Sequence, residues 1–131
     1  MSTLERAIEI AATAHAGQAD KGGQPYILHP LQVMFAVRTH EQRIAAVLHD
    51  VVEDSPWTLD QLRAEGFAEE IIEALDALTK RSGETRLQAA ARAARHPIAR
   101  AVKLADVTDN MDLRRLAQPT ARDLDRLGEY R

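Results

Sequence analysis

His49, Asp50, Glu53 and Asp54 place four ionisable groups within six residues, directly after the apolar run Ala45-Ala46-Val47-Leu48. On a continuous helix, positions 49 and 53, like 50 and 54, are four apart, and 50 and 53 are three apart, so the side chains form one adjacent patch. Its three carboxylates repel one another by roughly 0.2–0.5 kcal/mol per helical pair. A bound divalent cation reverses the sign of that interaction. The same group of residues also describes a solvated helix end ahead of Ser55-Pro56, and nothing within it decides between the two.

Two distant segments bear on the choice. In Tyr26-Ile27-Leu28-His29-Pro30 a loop histidine is held at the start of a helix by the following proline. In Lys103-Leu104-Ala105-Asp106-Val107-Thr108-Asp109-Asn110, Asp106 and Asn110 are four apart on a largely apolar helix, a poor place for a lone aspartate. Two histidines and two aspartates leave coordination positions for water and substrate on an octahedral, oxygen-preferring ion, a composition that suits Mn²⁺ or a similar divalent metal. The chain has no cysteine, so any metal site must be built from histidine and carboxylate.

These segments need helices to carry them. Of the 131 residues, 45% are apolar and 4% aromatic, which favours helices packed on small and branched side chains. The expectation is an all-α fold, with residues 1–131 as a single helical domain around one core. Ser2-x-x-Glu5 reads as a capping box opening a first helix that Gly17 stops. Residues 17–29 read as a loop, and Pro30 as the first residue of a helix to about Thr39. Residues 41–54 read as one helix. Thr58-x-x-Gln61 opens a short helix that Gly66 ends, Glu69 to about Thr79 forms the next, and 85–95 another. Pro97 starts a helix to about Leu116, and a last one opens at Ala121. No segment alternates with period two, so strands are not expected.

With 17 Lys+Arg against 20 Asp+Glu, the formal charge is −3, and no global basic field draws in a polyanion. Nucleic acid is therefore not an expected partner, although Arg86, Arg92, Arg95 and Arg100 follow one another in an alanine-rich stretch. Aromatic platforms for bases are missing. The N-terminus carries Glu5, Arg6 and Glu9 and reads as an amphipathic helix, not a signal peptide. No stretch approaches the roughly 18 apolar residues of a membrane span. The expected location is cytoplasmic, with no membrane partner; a homo-oligomer is compatible with the sequence. His15, on the apolar face of the first helix, reads as a buried, hydrogen-bonded histidine, His40 and His96 as helix-boundary residues, and Trp57 as core.

The ordered set His29, His49-Asp50, Asp106 resembles the H…HD…D signature of the HD metal-dependent phosphohydrolase superfamily. More closely, Ala14-His15-Ala16-Gly17-Gln18, Gly23-Gln24-Pro25-Tyr26-Ile27-Leu28-His29-Pro30, Leu48-His49-Asp50-Val51-Val52-Glu53-Asp54 and Lys103-Leu104-Ala105-Asp106 are similar to motifs of RelA/SpoT-like hydrolase domains and small alarmone hydrolases. An isolated His-Asp pair says little; four ordered motifs over most of the chain say a good deal. The resemblance implies an HD-type helical domain with Mn²⁺ held by His29, His49, Asp50 and Asp106. It implies Glu53 and Asp54 as the acidic pair that positions and deprotonates the attacking water, and Asn110 as a nucleotide contact. The implied reaction is removal of the 3′-pyrophosphate from ppGpp and pppGpp.

The residues make that chemistry sensible. Hydrolysis of a phosphate ester needs a nucleophile available near neutral pH, a partner for the phosphoryl charge, and alignment. A metal supplies the first two. A carboxylate beside it accepts the proton while a second stays ionised, and Glu53 is the expected base with Asp54 orienting. Lys21, Lys80, Arg81 and Lys103 are the candidates for phosphate contacts. The chain departs from the family pattern after Gly17-Gln18, where Ala19-Asp20-Lys21 stands in place of a more basic run, and at Val107, where a basic residue is usual. The departures keep two alternatives open: an HD phosphohydrolase for another small phosphate ester, such as a nucleoside monophosphate or a dinucleotide cofactor phosphate, and a non-catalytic nucleotide-binding module.

Overall fold

Threonines open four of the helices in the computed structural model, which describes residues 2–111. Thr3, Thr39, Thr58 and Thr85 each accept a hydrogen bond from the backbone N–H three residues on, at the starts of α1 (Leu4–Ala14), α3 (His40–Leu48), α5 (Leu59–Ala64) and α7 (Arg86–Ala94). At the last three, Gln42, Gln61 and Gln88 complete a capping box. Each cap satisfies an N–H that the helix cannot bond internally and contributes about 1 kcal/mol. The intervening elements are α2 (Leu28–Ala36), α4 (Val51–Asp54), α6 (Glu69–Leu78) and α8 (Pro97–Asn110). Among the described residues there is no strand, only an isolated bridge between Ala19 and Pro25. The fold is all-α, as the composition and periodicity predict.

Three boundaries differ from the sequence reading, each for a local reason. The first helix is capped by Thr3 instead of Ser2, whose N–H goes to the Gly66 carbonyl. Pro30 is the third residue of α2, not the first; the missing N–H costs nothing there, because the first four N–H groups of a helix have no internal partner. The expected helix over 41–54 is broken at His49-Asp50. Nδ1 of His49 bonds to the Ala46 carbonyl at 2.5 Å, and Asp50 takes φ −102°, ψ −2° before the chain resumes as α4. The expected continuation of the Pro97 helix to Leu116 and the helix at Ala121 lie outside the described residues.

The core is organised around α3. Ile44, Ala45, Ala46, Val47 and Leu48 are all buried, so this helix is apolar on every side over its second half. It packs against α1, α2, α6 and α8. Burying side chains of the size of Ile44 or Leu48 contributes about 1.5–3 kcal/mol each. The consequence for function is positional: the chain leaves α3 at His49 and Asp50, in the middle of the molecule, with α2 and α8 packed on either side. No helix among the described residues is long and apolar enough to cross a membrane.

Candidate metal centre

His29 enters from the first turn of α2, Asp106 from the last turns of α8, and His49-Asp50 from the break after α3. All four meet. Nε2 of His29 lies 2.7 Å from Oδ1 of Asp106 and 3.9 Å from Oδ2 of Asp50. Nε2 of His49 lies 3.0 Å from Oδ2 of Asp50 and 3.3 Å from Oδ1 of Asp106. One donor atom from each of His29, His49 and Asp50 falls within 4.8 Å of the others. His29, His49 and Asp106 are buried.

The opposite ring nitrogens are already committed. His49 Nδ1 faces the Ala46 carbonyl, which can only accept, so that nitrogen carries the hydrogen and Nε2 is the one turned to the cluster. His29 Nδ1 faces Oδ2 of Asp109 at 2.5 Å. Two imidazoles with Nδ1 tied back and Nε2 turned toward two carboxylates form a hard, oxygen-and-imidazole donor set suited to a divalent ion. The break at His49-Asp50, which the sequence reading did not foresee, lets consecutive side chains turn to the same point.

The charges of the metal-free cluster follow from the same geometry. Burial opposes charging His49, but the Asp50 and Asp106 carboxylates overcome it and raise its pKa well above the ordinary imidazole value. Burial pushes the Asp50 carboxyl up, yet His49 and the Tyr26 hydroxyl, which donates to Oδ2 at 2.5 Å, bring it down to about 2. Burial likewise opposes ionisation of Asp106, and hydrogen bonds from His29 and His49 hold it well below the carboxylate range. Tyr26 itself is pushed far up, first by burial and then by the Asp50 charge. Asp54, exposed at the end of α4, is raised by its partial desolvation and by the Asp50 charge.

The cluster opens into a cavity of about 260 Å³. Glu53, Lys80, Lys103 and Asn110 line it. Lys103 Nζ lies 3.6 Å from Asp106 Oδ2, and Asn110 Nδ2 donates to Asp106 Oδ1 at 3.3 Å. Glu53 Oε1 accepts the Lys80 N–H at 2.6 Å.

Three expected residues stand elsewhere: Lys21, Asp54 and Arg81, whose Nη2 lies 3.5 Å from Asp76 Oδ2. Lys21 is exposed and is not among the residues lining this cavity. Its loop is turned by Asp20, whose Oδ1 accepts the N–H groups of Gly22 and Gln24, with Gly23 at φ +81°. Asp54 does not line the cavity either. Its carbonyl accepts from Gln18 Nε2, whose Oε1 in turn faces Nδ1 of the buried His15. His15 is thus a buried, hydrogen-bonded histidine as expected, and Trp57 packs partly buried against the core.

Three contributors escaped the sequence reading. Asp109 was present as Asp106-x-x-Asp109, three apart on one helix and therefore able to face the same side. Tyr26 stands three residues before His29, and the loop brings its hydroxyl to Asp50, a contact that the spacing alone does not report. Arg86 lines the cavity although its alanine-rich surroundings suggested a surface face.

Residues 7–127 match the HD domain, and the chain belongs to that family. It is 36% identical to a probable GTP pyrophosphokinase of Mycobacterium leprae over 91% of its length, and 39% identical to a guanosine-3′,5′-bis(diphosphate) 3′-pyrophosphohydrolase of Haemophilus influenzae over 78%. It is 36% identical to the bifunctional (p)ppGpp synthase/hydrolase SpoT of Escherichia coli over 82%. The chain spans 17% of the length of each of these relatives. A solved metazoan ortholog of SpoT, described as hydrolysing ppGpp, superposes with a TM-score of 0.82 at 23% identity, covering 99% of this chain and 82% of that one, and shows the shared fold.

Proposed function

We propose that this chain is a divalent-metal-dependent phosphohydrolase that removes pyrophosphate from the 3′ position of ppGpp or pppGpp. The observation that carries the reading is the meeting of His29, His49, Asp50 and Asp106, with Glu53 and three cationic side chains, Lys80, Arg86 and Lys103, lining the same cavity. Names of the bacterial relatives support the substrate. In this reading residues 1–131 act as one domain and Mn²⁺ is the resident ion. The setting is cytoplasmic, and the net charge of −3 leaves nucleic acid outside it.

When bound, the ion supplies a Lewis acid for the phosphoryl oxygens and acidifies water. The remaining work belongs to side chains. His29, His49, Asp50 and Asp106 hold the ion. Glu53, the carboxylate on the cavity wall, accepts the proton of the attacking water, and Asp54, the next residue, is a second carboxyl with raised proton affinity. Lys80, Arg86 and Lys103 offset charge on the phosphates, and Asn110 contacts the nucleotide.

A second reading keeps the metal and changes the substrate to another small phosphate ester. It is favoured by the loop at Ala19-Asp20-Lys21, which brings no cation to the cavity lining. Purified protein supplemented with Mn²⁺ and offered ppGpp beside a panel of nucleoside monophosphates and phosphorylated dinucleotides separates the two. Pyrophosphate release from ppGpp, abolished by chelation, is the expected result. No turnover of ppGpp at micromolar enzyme, with phosphate released from another ester, replaces the first reading by the second.

A further inference from the structure

We propose that Arg92 is a positioning residue that sets the orientation of Glu53 through a single peptide unit, an inference that rests on the role given to Glu53 above. Arg92 lies on α7, on the far side of the α6–α7 turn from Glu53, and its side chain is 16% exposed. Four of its five N–H donors are engaged. Nε and Nη2 form a bidentate pair with Glu84 at 2.9 and 2.8 Å, Nη1 donates to the Asp76 carbonyl at 2.8 Å, and Nη2 donates to the Thr79 carbonyl at 2.7 Å.

The last of these bonds matters most. The Thr79 carbonyl and the Lys80 N–H are the two ends of one peptide group, which is trans, so they point in opposite directions. Arg92 holds the carbonyl end, and the N–H end donates to Glu53 Oε1 at 2.6 Å. The next peptide is fixed as well, because the Arg81 N–H donates to Glu84 Oε1, the same oxygen that Arg92 Nη2 grips. One planar, five-donor fork thus locks two consecutive peptides of the turn, a geometry that lysine cannot copy. Bonds in such a chain polarise one another, so an engaged Thr79 carbonyl strengthens the donor offered to Glu53. Without Arg92 the peptide is free to rotate, and Glu53 loses the neighbour that fixes its carboxylate against the cavity.

A brace between α6 and α7 that served stability alone predicts a different outcome from one that acts through Glu53. In the metal-free protein, R92Q is expected to speed hydrogen exchange of the Lys80 amide by about tenfold or more while core amides of α3 keep their protection. With Mn²⁺ and ppGpp, R92Q is expected to lower kcat by about tenfold with KM and metal affinity little changed. R92K, which keeps the charge and loses the fork, falls between. In the E53Q background the further loss on adding R92Q disappears, because the carboxylate it positions is gone. If R92Q does not yield folded protein by circular dichroism, E84Q carries the same test. An unchanged Lys80 exchange rate, or a loss of kcat that persists in full in the E53Q background, overturns the inference. An E53Q enzyme as fast as wild type overturns the role of Glu53 instead.

Discussion

Asp109 and His29 form a pair across α8 and α2: Oδ2 of Asp109 lies 2.5 Å from Nδ1 of His29, whose other nitrogen is 2.7 Å from Asp106. The carboxylate holds the ring in the orientation that presents Nε2 to the cluster. D109A is therefore expected to weaken divalent-ion binding about 10- to 100-fold, the range typical of such outer partners. Titration of the metal-free variant with Mn²⁺ by calorimetry reads this directly. An unchanged affinity removes Asp109 from the metal site.

Removing a ligand and removing the base have different signatures. H49A takes away an imidazole that faces both Asp50 and Asp106, and is expected to abolish the rise in melting temperature that Mn²⁺ gives the wild type as well as turnover. E53Q leaves the four ligands untouched. It is expected to keep the Mn²⁺-induced stabilisation and to lose about 10²-fold in kcat. Thermal melts with and without Mn²⁺, run beside pyrophosphate release, distinguish the two variants. An E53Q protein that no longer responds to Mn²⁺ makes Glu53 a ligand instead of a base.

The clustered residues are legible in the sequence because each sits in a short, self-contained pattern: His29 before Pro30, His49 beside Asp50, Asp106 within an apolar helix. The helix starts were legible for the same reason, since Thr58 and Gln61 cap each other within four residues. What escaped depends on tertiary placement. The break at His49-Asp50 arises from a side chain that bonds its own preceding turn, and no periodicity reports that. Asp109 could be placed on the same side as Asp106, but only the packing of α8 on α2 brings it to His29. Lys21 stands on a loop shaped by the Asp20 turn, away from the cavity lining, and no local pattern reports that placement.

The Glu84–Arg92 pair makes a pH prediction with a defined sign. The hydrogen bond from Arg92, helped by the Arg81 N–H, lowers the Glu84 carboxyl from 4.5 to about 2. A depressed carboxyl contributes stability that is present above its unfolded value and lost as pH falls through the folded one. The wild type is thus expected to exceed E84Q in stability at about pH 6, and the difference to shrink steadily between about pH 4.5 and pH 2. Urea midpoints of both proteins across that window test it. A difference that stays constant down to the acid end assigns the Arg92 interaction no linkage to Glu84 ionisation.

Tyr26 links the loop to the metal ligands by one group that can be deleted cleanly. Its hydroxyl donates to Oδ2 of Asp50 at 2.5 Å, while its ring packs between His15, with centroids 4.9 Å apart, and His29, at 5.8 Å. Y26F keeps the ring and removes the donor. A hydrogen bond to a carboxylate contributes about 1.5–3 kcal/mol, so the metal-free variant is expected to lose stability on that scale in urea unfolding. Asp50 also loses one of the influences that bring it down to about 2, so its pKa rises and protons compete with the ion at a higher pH than in the wild type. Near neutrality Asp50 stays ionised in both proteins. The expected pattern is therefore similar Mn²⁺ affinity from about pH 7.5 down to about 5, and a deficit for Y26F that opens only as pH falls below about 4. An affinity ratio independent of pH, with stability unchanged, shows that the Tyr26 hydroxyl does not act on Asp50.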